Sequence, residues 1–446
     1  MGMFFLATGL AFAQASCSVG EVEGPDSGQP GQPPGDPSNP SNPSNPAGNP
    51  GATPGEQPYD PNHPGQNPGT DPGQQPGGDP GTPGPSDGKN PFAGALYYVN
   101  PDFVAQVDTS SQNVSGASRA LLEKGKNLPS AVWLDVAAKV PTITAHLTKA
   151  LDQQKAAGKP VVTVFVVYDL PNRDCAANSS NGELTLADDG MNKYRAYIDQ
   201  IAAQFARFDQ QRIVAVVEPD SLPNMATNMG VKRCDEQTAR AYKDGVAYAL
   251  KKLSLPHVSL YLDAAHSGWL GWDNNRQKIA VIFNEVLAMA GGADKIRGFA
   301  TNVANYTELS APSNVPESFY QGNPCRDELT YAKKLGESLS AAGIRDKTFL
   351  IDTSRNGKGG IRNTWGNWCN IDDAGLGERP RADPVSGVDA YYYVKVPGES
   401  DGVSQQGAPR FDSMCLSDDS TRDAPQAGQW YHSFYLMLLK NANPAL

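Results

Sequence analysis

Histidine, cysteine and positive charge are all in short supply in this chain. Its 446 residues hold five histidines and six cysteines, and neither a CxxC nor an HxxxH spacing occurs. That leaves no ready-made ligand set for zinc or a similar ion, so neither a metal nor another cofactor is expected. Lys and Arg number 37 against 48 Asp and Glu, which gives a net charge of −11 and a pI near 5.0. Such a balance argues against nucleic acid and anionic membrane surfaces as partners. No apolar run reaches the length of about 18 residues that a membrane-spanning helix needs.

What is present divides the chain into three parts. Residues 1–17 begin with MGMFFLATGLAFAQAS, an apolar, small-residue leader without a basic start. It is too short to span a bilayer and reads as an export signal. Cleavage after Ala11-Phe12-Ala13 is one ending; the other is lipidation of Cys17, since Ala15-Ser16-Cys17 resembles the end of a lipobox. Residues 18–89 are rich in Pro, Gly, Asn, Asp and Ser, with an internal SNPSNPSNP repeat and neither Trp nor Phe. A segment so poor in apolar groups cannot offset its ordering entropy and is expected to be an extended linker. Residues 90–446 remain as one folded domain.

Within that domain the most telling stretch is Val216-Val217-Glu218-Pro219-Asp220-Ser221. Ile213 to Val217 is a continuous apolar run, as a strand covered on both faces requires, and Pro219 ends it. The pattern recurs. Val161 to Tyr168 leads into Asp169 and Asp174, Val258 to Leu262 into Asp263 and His266, Phe349 to Ile351 into Asp352 and Arg355, and Tyr391 to Val396 into Glu399 and Asp401. Between these runs, apolar residues at three- and four-residue spacing predict helices over Met191–Phe208, Gln237–Leu253, Lys278–Ala290 and Leu329–Ala342. Alternating strands and helices imply an α/β fold with parallel strands. Acids delivered at several strand ends imply a distorted β/α barrel of about seven strands, with its site at the C-terminal strand ends.

Four cysteines, Cys175, Cys234, Cys369 and Cys415, fall in loops beside these acidic ends, and in an exported chain they suggest disulfides whose pairing spacing alone leaves open. Trp133 and Trp430 read as core residues, whereas Trp269 and Trp272 in GWLGW, with Gly271 between them, read as exposed.

These residues also carry a family resemblance. Tyr168-Asp169-Leu170-Pro171-Asn172-Arg173-Asp174-Cys175, Val216 to Leu222, Tyr261 to Trp272, Thr301 to Tyr306, Trp365 to Asn370 and Val394 to Gly402 resemble, in order, the sequence blocks of glycoside hydrolase family 6. That is the family of cellobiohydrolase II and related endoglucanases.

The resemblance implies hydrolysis of β-1,4-glucan with inversion, on cellulose and cello-oligosaccharides, by a monomeric secreted enzyme. It makes Asp220 the general acid and Asp174 the carboxylate that keeps Asp220 protonated; Glu218 reads as structural. The base stays open between Asp401 and a water relay to Asp174 held by Ser180, and an inverting site places acid and base about 6.5–9.5 Å apart. Tyr168 is implied to help distort the sugar ring. Asp263, His266, Asn302, Asn305, Lys395 and Glu399 are implied to contact sugar, with Trp269, Trp272 and Trp368 as stacking platforms. The resemblance pairs Cys175 with Cys234 and Cys369 with Cys415, and leaves Cys325 as a buried thiol. Long loops at Asp174–Asp189 and Glu399–Trp430 favour a cellobiohydrolase that releases cellobiose from non-reducing ends. An endoglucanase is the alternative, and a non-catalytic glucan-binding protein is the alternative of a different class.

Overall fold

A computed structural model describes residues 90–446; the expected export signal at 1–17, Cys17 and the linker at 18–89 lie outside the described residues. In chain order the strands are β1 (Leu96–Tyr97), β2 (Val132–Leu134), β3 (Val161–Val167), β4 (Arg212–Val217), β5 (Val258–Asp263), β6 (Gly298–Thr301), β7 (Thr348–Asp352), β8 (Arg381–Val385) and β9 (Val388–Tyr392). They form one sheet in the order β1-β3-β4-β5-β6-β7-β9-β8, with β2 also on β3. Every pairing is parallel except that of β8 with β9. The four helices read from apolar spacing form at Gly190–Ala206, Glu236–Leu253, Asp273–Ala290 and Glu328–Ala341.

Continuous apolar runs become strands here because both faces of the sheet are covered. Alternate residues point opposite ways. Val162, Val164, Val166, Val214, Val216, Tyr261, Ala300, Leu350 and Tyr392 form an inner cluster. Their neighbours Val161, Phe165, Val167, Ile213, Ala215, Val217, Leu260 and Phe299 pack with the helices. The curled sheet thus has a filled interior, and chemistry is left to the strand ends.

The barrel is distorted at one seam. β1 lies beside Val161 and Val162 and β2 beside Phe165 to Val167, so two short strands share one edge of β3. No ladder joins either to β9. The gap is bridged by the Ala131 N–H donating to the Tyr393 carbonyl (3.0 Å) and the Trp133 indole N–H donating to the Val394 carbonyl (2.8 Å). Phe92, fully buried, plugs it from within, its ring centre 5.9–6.4 Å from those of Tyr97, Tyr261 and Tyr392.

The expected barrel of about seven strands is seen, since β1 and β2 share one position beside β3 and, with β3, β4, β5, β6, β7 and β9, fill seven places, while β8 adds an antiparallel edge. One expectation is corrected. The last parallel strand is Val388–Tyr392 rather than Tyr391–Val396. Beyond it the backbone leaves the ladder, since the Val394 and Lys395 N–H groups donate instead to the Asp352 carboxylate (3.2 and 2.8 Å).

Disulfides join Cys175 to Cys234 and Cys369 to Cys415, and Cys325 is free and buried. Among the described residues no helix is long and apolar enough to cross a membrane. Because Phe92 closes a seam that lacks a ladder, Phe92→Ala is expected to cost about 3–5 kcal/mol, the usual range for emptying a buried aromatic site. Chemical denaturation checks this; an unchanged midpoint would show that the seam does not depend on the plug.

Candidate active site

The strand ends hold their acids through unusual backbone. Asp174, Glu218 and Asp220 have φ of 45°, 50° and 62°, and Ala265, Asn302 and Ala304, after β5 and β6, share this left-handed region. Non-glycine residues hold it only where surrounding contacts impose it, and such positions cluster at functional sites. Here the turns aim neighbouring acids apart. Glu218 is fully buried and accepts from the Asp169 and Leu170 N–H groups (3.2 and 3.3 Å), bracing the turn after β3. Asp220 faces the other way, towards the Tyr168 hydroxyl, which donates to it at 3.5 Å.

Asp220, Asp174 and Asp263 form one group. The Asp263 carboxylate accepts from the Asp220 N–H (3.1 Å), and the Asn224 amide donates both to Asp174 (3.2 Å) and to the Asp220 carbonyl (2.5 Å). Burial raises the Asp220 carboxyl well above its ordinary range, and the neighbouring Asp174 and Asp263 raise it further. Burial also raises Asp174, but hydrogen bonds from Asn224 and Ser180 favour its ionised form. Asp263 is pushed up by burial to about 7. The group therefore holds protons near neutral pH, and Asp220, with fewer donors than Asp174, is the member on which a proton is best placed.

Arg173 organises the near wall. Its guanidinium lies 4.3 Å from the Tyr168 ring centre and donates to the carbonyls of Tyr168, Asp135 and Ser180. Trp133, the middle residue of β2, is half-buried and packs against the inner cluster as expected, and its ring also lies edge-on to Tyr168 at 5.5 Å with the Lys395 ammonium 5.2 Å from its centre. A three-residue strand gave no periodic signal that could have exposed this. Trp430 packs as well, against Phe103 and Tyr435.

The far wall is matched in charge. Asp401 pairs with the fully buried Arg355 (2.6 Å) and accepts from the Tyr306 hydroxyl (2.6 Å) and the Asn370 N–H (2.9 Å). Lys395 lies 3.7 Å from Glu399. Asp352 accepts backbone N–H groups from Ala304, Ser354, Val394 and Lys395, so one carboxylate ties the loops after β6, β7 and β9 together.

The remaining candidates spread outward. Asn302 donates to the Thr307 and Asp352 carbonyls and braces a loop. Asn305 meets His266 at 3.0 Å, and burial pushes that imidazole down to about 3, so it is neutral. Trp269 is hydrogen-bonded to Thr227 and its ring lies 6.2 Å from His266. Trp272 and Trp368 are half-buried on loops. Among the described residues no hydrogen bond or ring contact joins them to the carboxylates.

The two long loops touch. Asp412 accepts from the Asn178 N–H (2.8 Å), the Asn178 amide donates to the Phe411 carbonyl (3.4 Å), and Arg410 donates to the Ser179 carbonyl (2.8 Å).

The sequence model of glycosyl hydrolases family 6 matches residues 92–442, the barrel together with these loops. The chain belongs to glycosyl hydrolases family 6. This family 6 chain is 43% identical over 359 residues to Exoglucanase 3 of Agaricus bisporus, with 80% of each chain covered. It is 44% identical over 362 residues to the probable 1,4-beta-D-glucan cellobiohydrolase C of Aspergillus fumigatus, covering 80% of this chain and 78% of that one. Its fold is similar to the solved structure of cellobiohydrolase II from Humicola insolens in complex with glucose and cellotetraose, with a TM-score of 0.77, 40% identity and coverage of 80% and 100%.

Buried carboxyls give the family 6 domain a pH signature. Burial lifts Asp169 to about 9 and Glu328 to about 8, against about 4 in an unfolded chain. The folded state therefore binds more protons, and stability falls as pH rises through this window. Above pH of about 6.5, where an ordinary histidine is already neutral, Asp169→Asn is expected to flatten the decline by up to about 1.4 kcal/mol per pH unit. Denaturation curves between pH of about 6.5 and 9 check this; parallel slopes for both proteins would refute it.

Proposed function

We propose that this family 6 chain is an inverting cellobiohydrolase that cleaves β-1,4-glucan and releases cellobiose from non-reducing ends. The observation that carries the exo reading is the meeting of the 174–189 and 399–430 loops beside Asp174, which restricts sideways entry of a glucan chain. The long loops, and relatives named exoglucanase and cellobiohydrolase, support it.

In this reading Asp220 donates its proton to the glycosidic oxygen. A carboxyl kept protonated by burial and by Asp174 suits that task. Asp174 is raised by burial, against which Asn224 and Ser180 favour its ionised form; in that form it supplies negative charge opposite the cation-like sugar ring and takes part in the proton relay. Tyr168, fixed between Arg173 and Trp133, lies against the distorted ring, and Trp133, Trp269, Trp272 and Trp368 offer apolar faces to neighbouring sugars. Asp401 spends its oxygens on Arg355, Tyr306 and Asn370, which favours the water relay through Ser180 to Asp174 over direct proton abstraction by Asp401. Lys395, Glu399 and Asp263 are left as hydroxyl partners.

Export belongs to the same reading, supported by the leader and two disulfides. Mass spectrometry of the mature N-terminus separates cleavage after Ala13 from lipidation of Cys17.

Asp220→Ala is expected to lower turnover of amorphous cellulose by about 10²–10⁴, the usual worth of a positioned general acid. Cellobiose should dominate the soluble sugars from the earliest times. An early spread of longer oligosaccharides would make the enzyme an endoglucanase, and tight adsorption without sugar release would leave a binding protein.

A further inference from the structure

The contact between the two loops is built from side chains. Among the described residues no backbone-to-backbone hydrogen bond crosses from 174–189 to 399–430. The bonds that do cross involve Asn178, Ser179, Arg410, Phe411 and Asp412, and Lys232 reaches Asp412 at 3.4 Å.

Asp412 stands out among them. It is 4% exposed, and its two oxygens serve different segments. One accepts from the Met414 N–H (3.1 Å) and so caps the short turn that carries Cys415. The other accepts from Asn178, three residues beyond Cys175, and faces Lys232, two residues before Cys234. A single carboxylate therefore grips both chain segments flanking one disulfide while fixing the turn that holds the other. Arg410, by comparison, reaches only the Ser179 carbonyl across the contact.

We propose that Asp412 is a specificity-determining residue: it latches the 174–189 loop to the 399–430 loop and so admits glucan chains by their ends rather than sideways. This rests on the cellobiohydrolase reading above. Asp412 is not one of the residues assigned to proton transfer or sugar binding, so losing the latch should change where the enzyme cuts more than how fast it cuts a short substrate.

The test uses the full chain as wild type, Asp412→Ala, Asp412→Asn and Arg410→Ala. Amide exchange read by mass spectrometry reports the latch itself: exchange within 174–189 should quicken about tenfold or more in Asp412→Ala, since a bond to a charged acceptor is lost. On amorphous cellulose the ratio of soluble to insoluble reducing ends should fall about threefold or more, while turnover of cellotetraose stays within about threefold of wild type. Arg410→Ala should move both readouts the same way by less. If Asp412→Ala does not fold, Asp412→Asn decides, because its amide can accept from only one of Asn178 and Met414 and opening should persist at reduced size. Wild-type exchange, or a wild-type product ratio in a folded Asp412 variant that does open, would overturn the proposal. A wild-type enzyme that itself yields a spread of long oligosaccharides would instead sink the exo reading, and the exchange data would still judge the latch.

Discussion

The site depends on a mismatch between buried negative charge and the cations available to meet it. At the ends of β3, β4 and β5 the turns bury Asp169, Asp174, Glu218 and Asp263 and half-bury Asp220, while Arg173, 3.7 Å from Asp169, is shared with two carbonyls of its own loop, the Asp135 carbonyl and the Tyr168 ring. With too few positive charges, the group lowers its energy by keeping protons. Across the cleft the carboxyls are better met, because Asp401 has Arg355, Glu399 has Lys395, and Asp352 has four backbone donors. Burial still raises Asp352 and Glu399, and those donors and Lys395 oppose it. One wall thus holds its carboxyls with little counter-charge and the other with partners. An acid-catalysed displacement is served by the first arrangement, since its proton must come from a group that is not already ionised.

The same mismatch explains why the acids lie on such strained backbone. A carboxyl that gives up its solvation is positioned only if the chain around it is rigid, and here the strands supply rigidity up to their last residue. Asp220 follows β4 by three residues, yet its N–H is held by Asp263 and its carbonyl by Asn224. Packing of the inner cluster offsets the strain.

Much of this was legible in the sequence where a strand was long enough to show itself. β3, β4 and β5 read as apolar runs because burial on both faces removes polar alternation, and the acids after them followed directly. β1 and β2, of two and three residues, carry no period at all. No period can therefore show that Trp133, besides packing against the inner cluster, lies between Tyr168 and Lys395. The run from Tyr391 to Val396 reads as one strand since all of its residues but Lys395 are apolar or aromatic, but its second half is so for another reason: Tyr393 and Val396 belong to a cluster with Phe434 and Tyr435, away from the sheet. Hydrophobicity reports burial, and only partner geometry says against what. Asn224 was within reach of sequence reasoning, lying one helical turn after Asp220, whereas the role of Asp412 depends on a contact 234 residues away in the chain.

Three kinds of bond hold successive parts of the cleft, and their strengths are graded. Ladders and packing hold the strands that carry the acids. Disulfides tie Cys175, at the start of one loop, to Cys234, and Cys415, midway along the other, to Cys369. Among the described residues the hydrogen bonds between the loops all involve side chains, and Lys232, from outside both loops, adds an ion pair to Asp412. Such a contact is weaker than a ladder or a covalent bond and opens at less cost. If the chemistry requires a fixed proton donor and the substrate is an insoluble polymer, the freedom to move belongs at the loop contact and not at the strand ends. The order of bonding, strongest at Asp220 and weakest at Asp412, fits a protein that must hold its reacting groups still while its cover admits a chain.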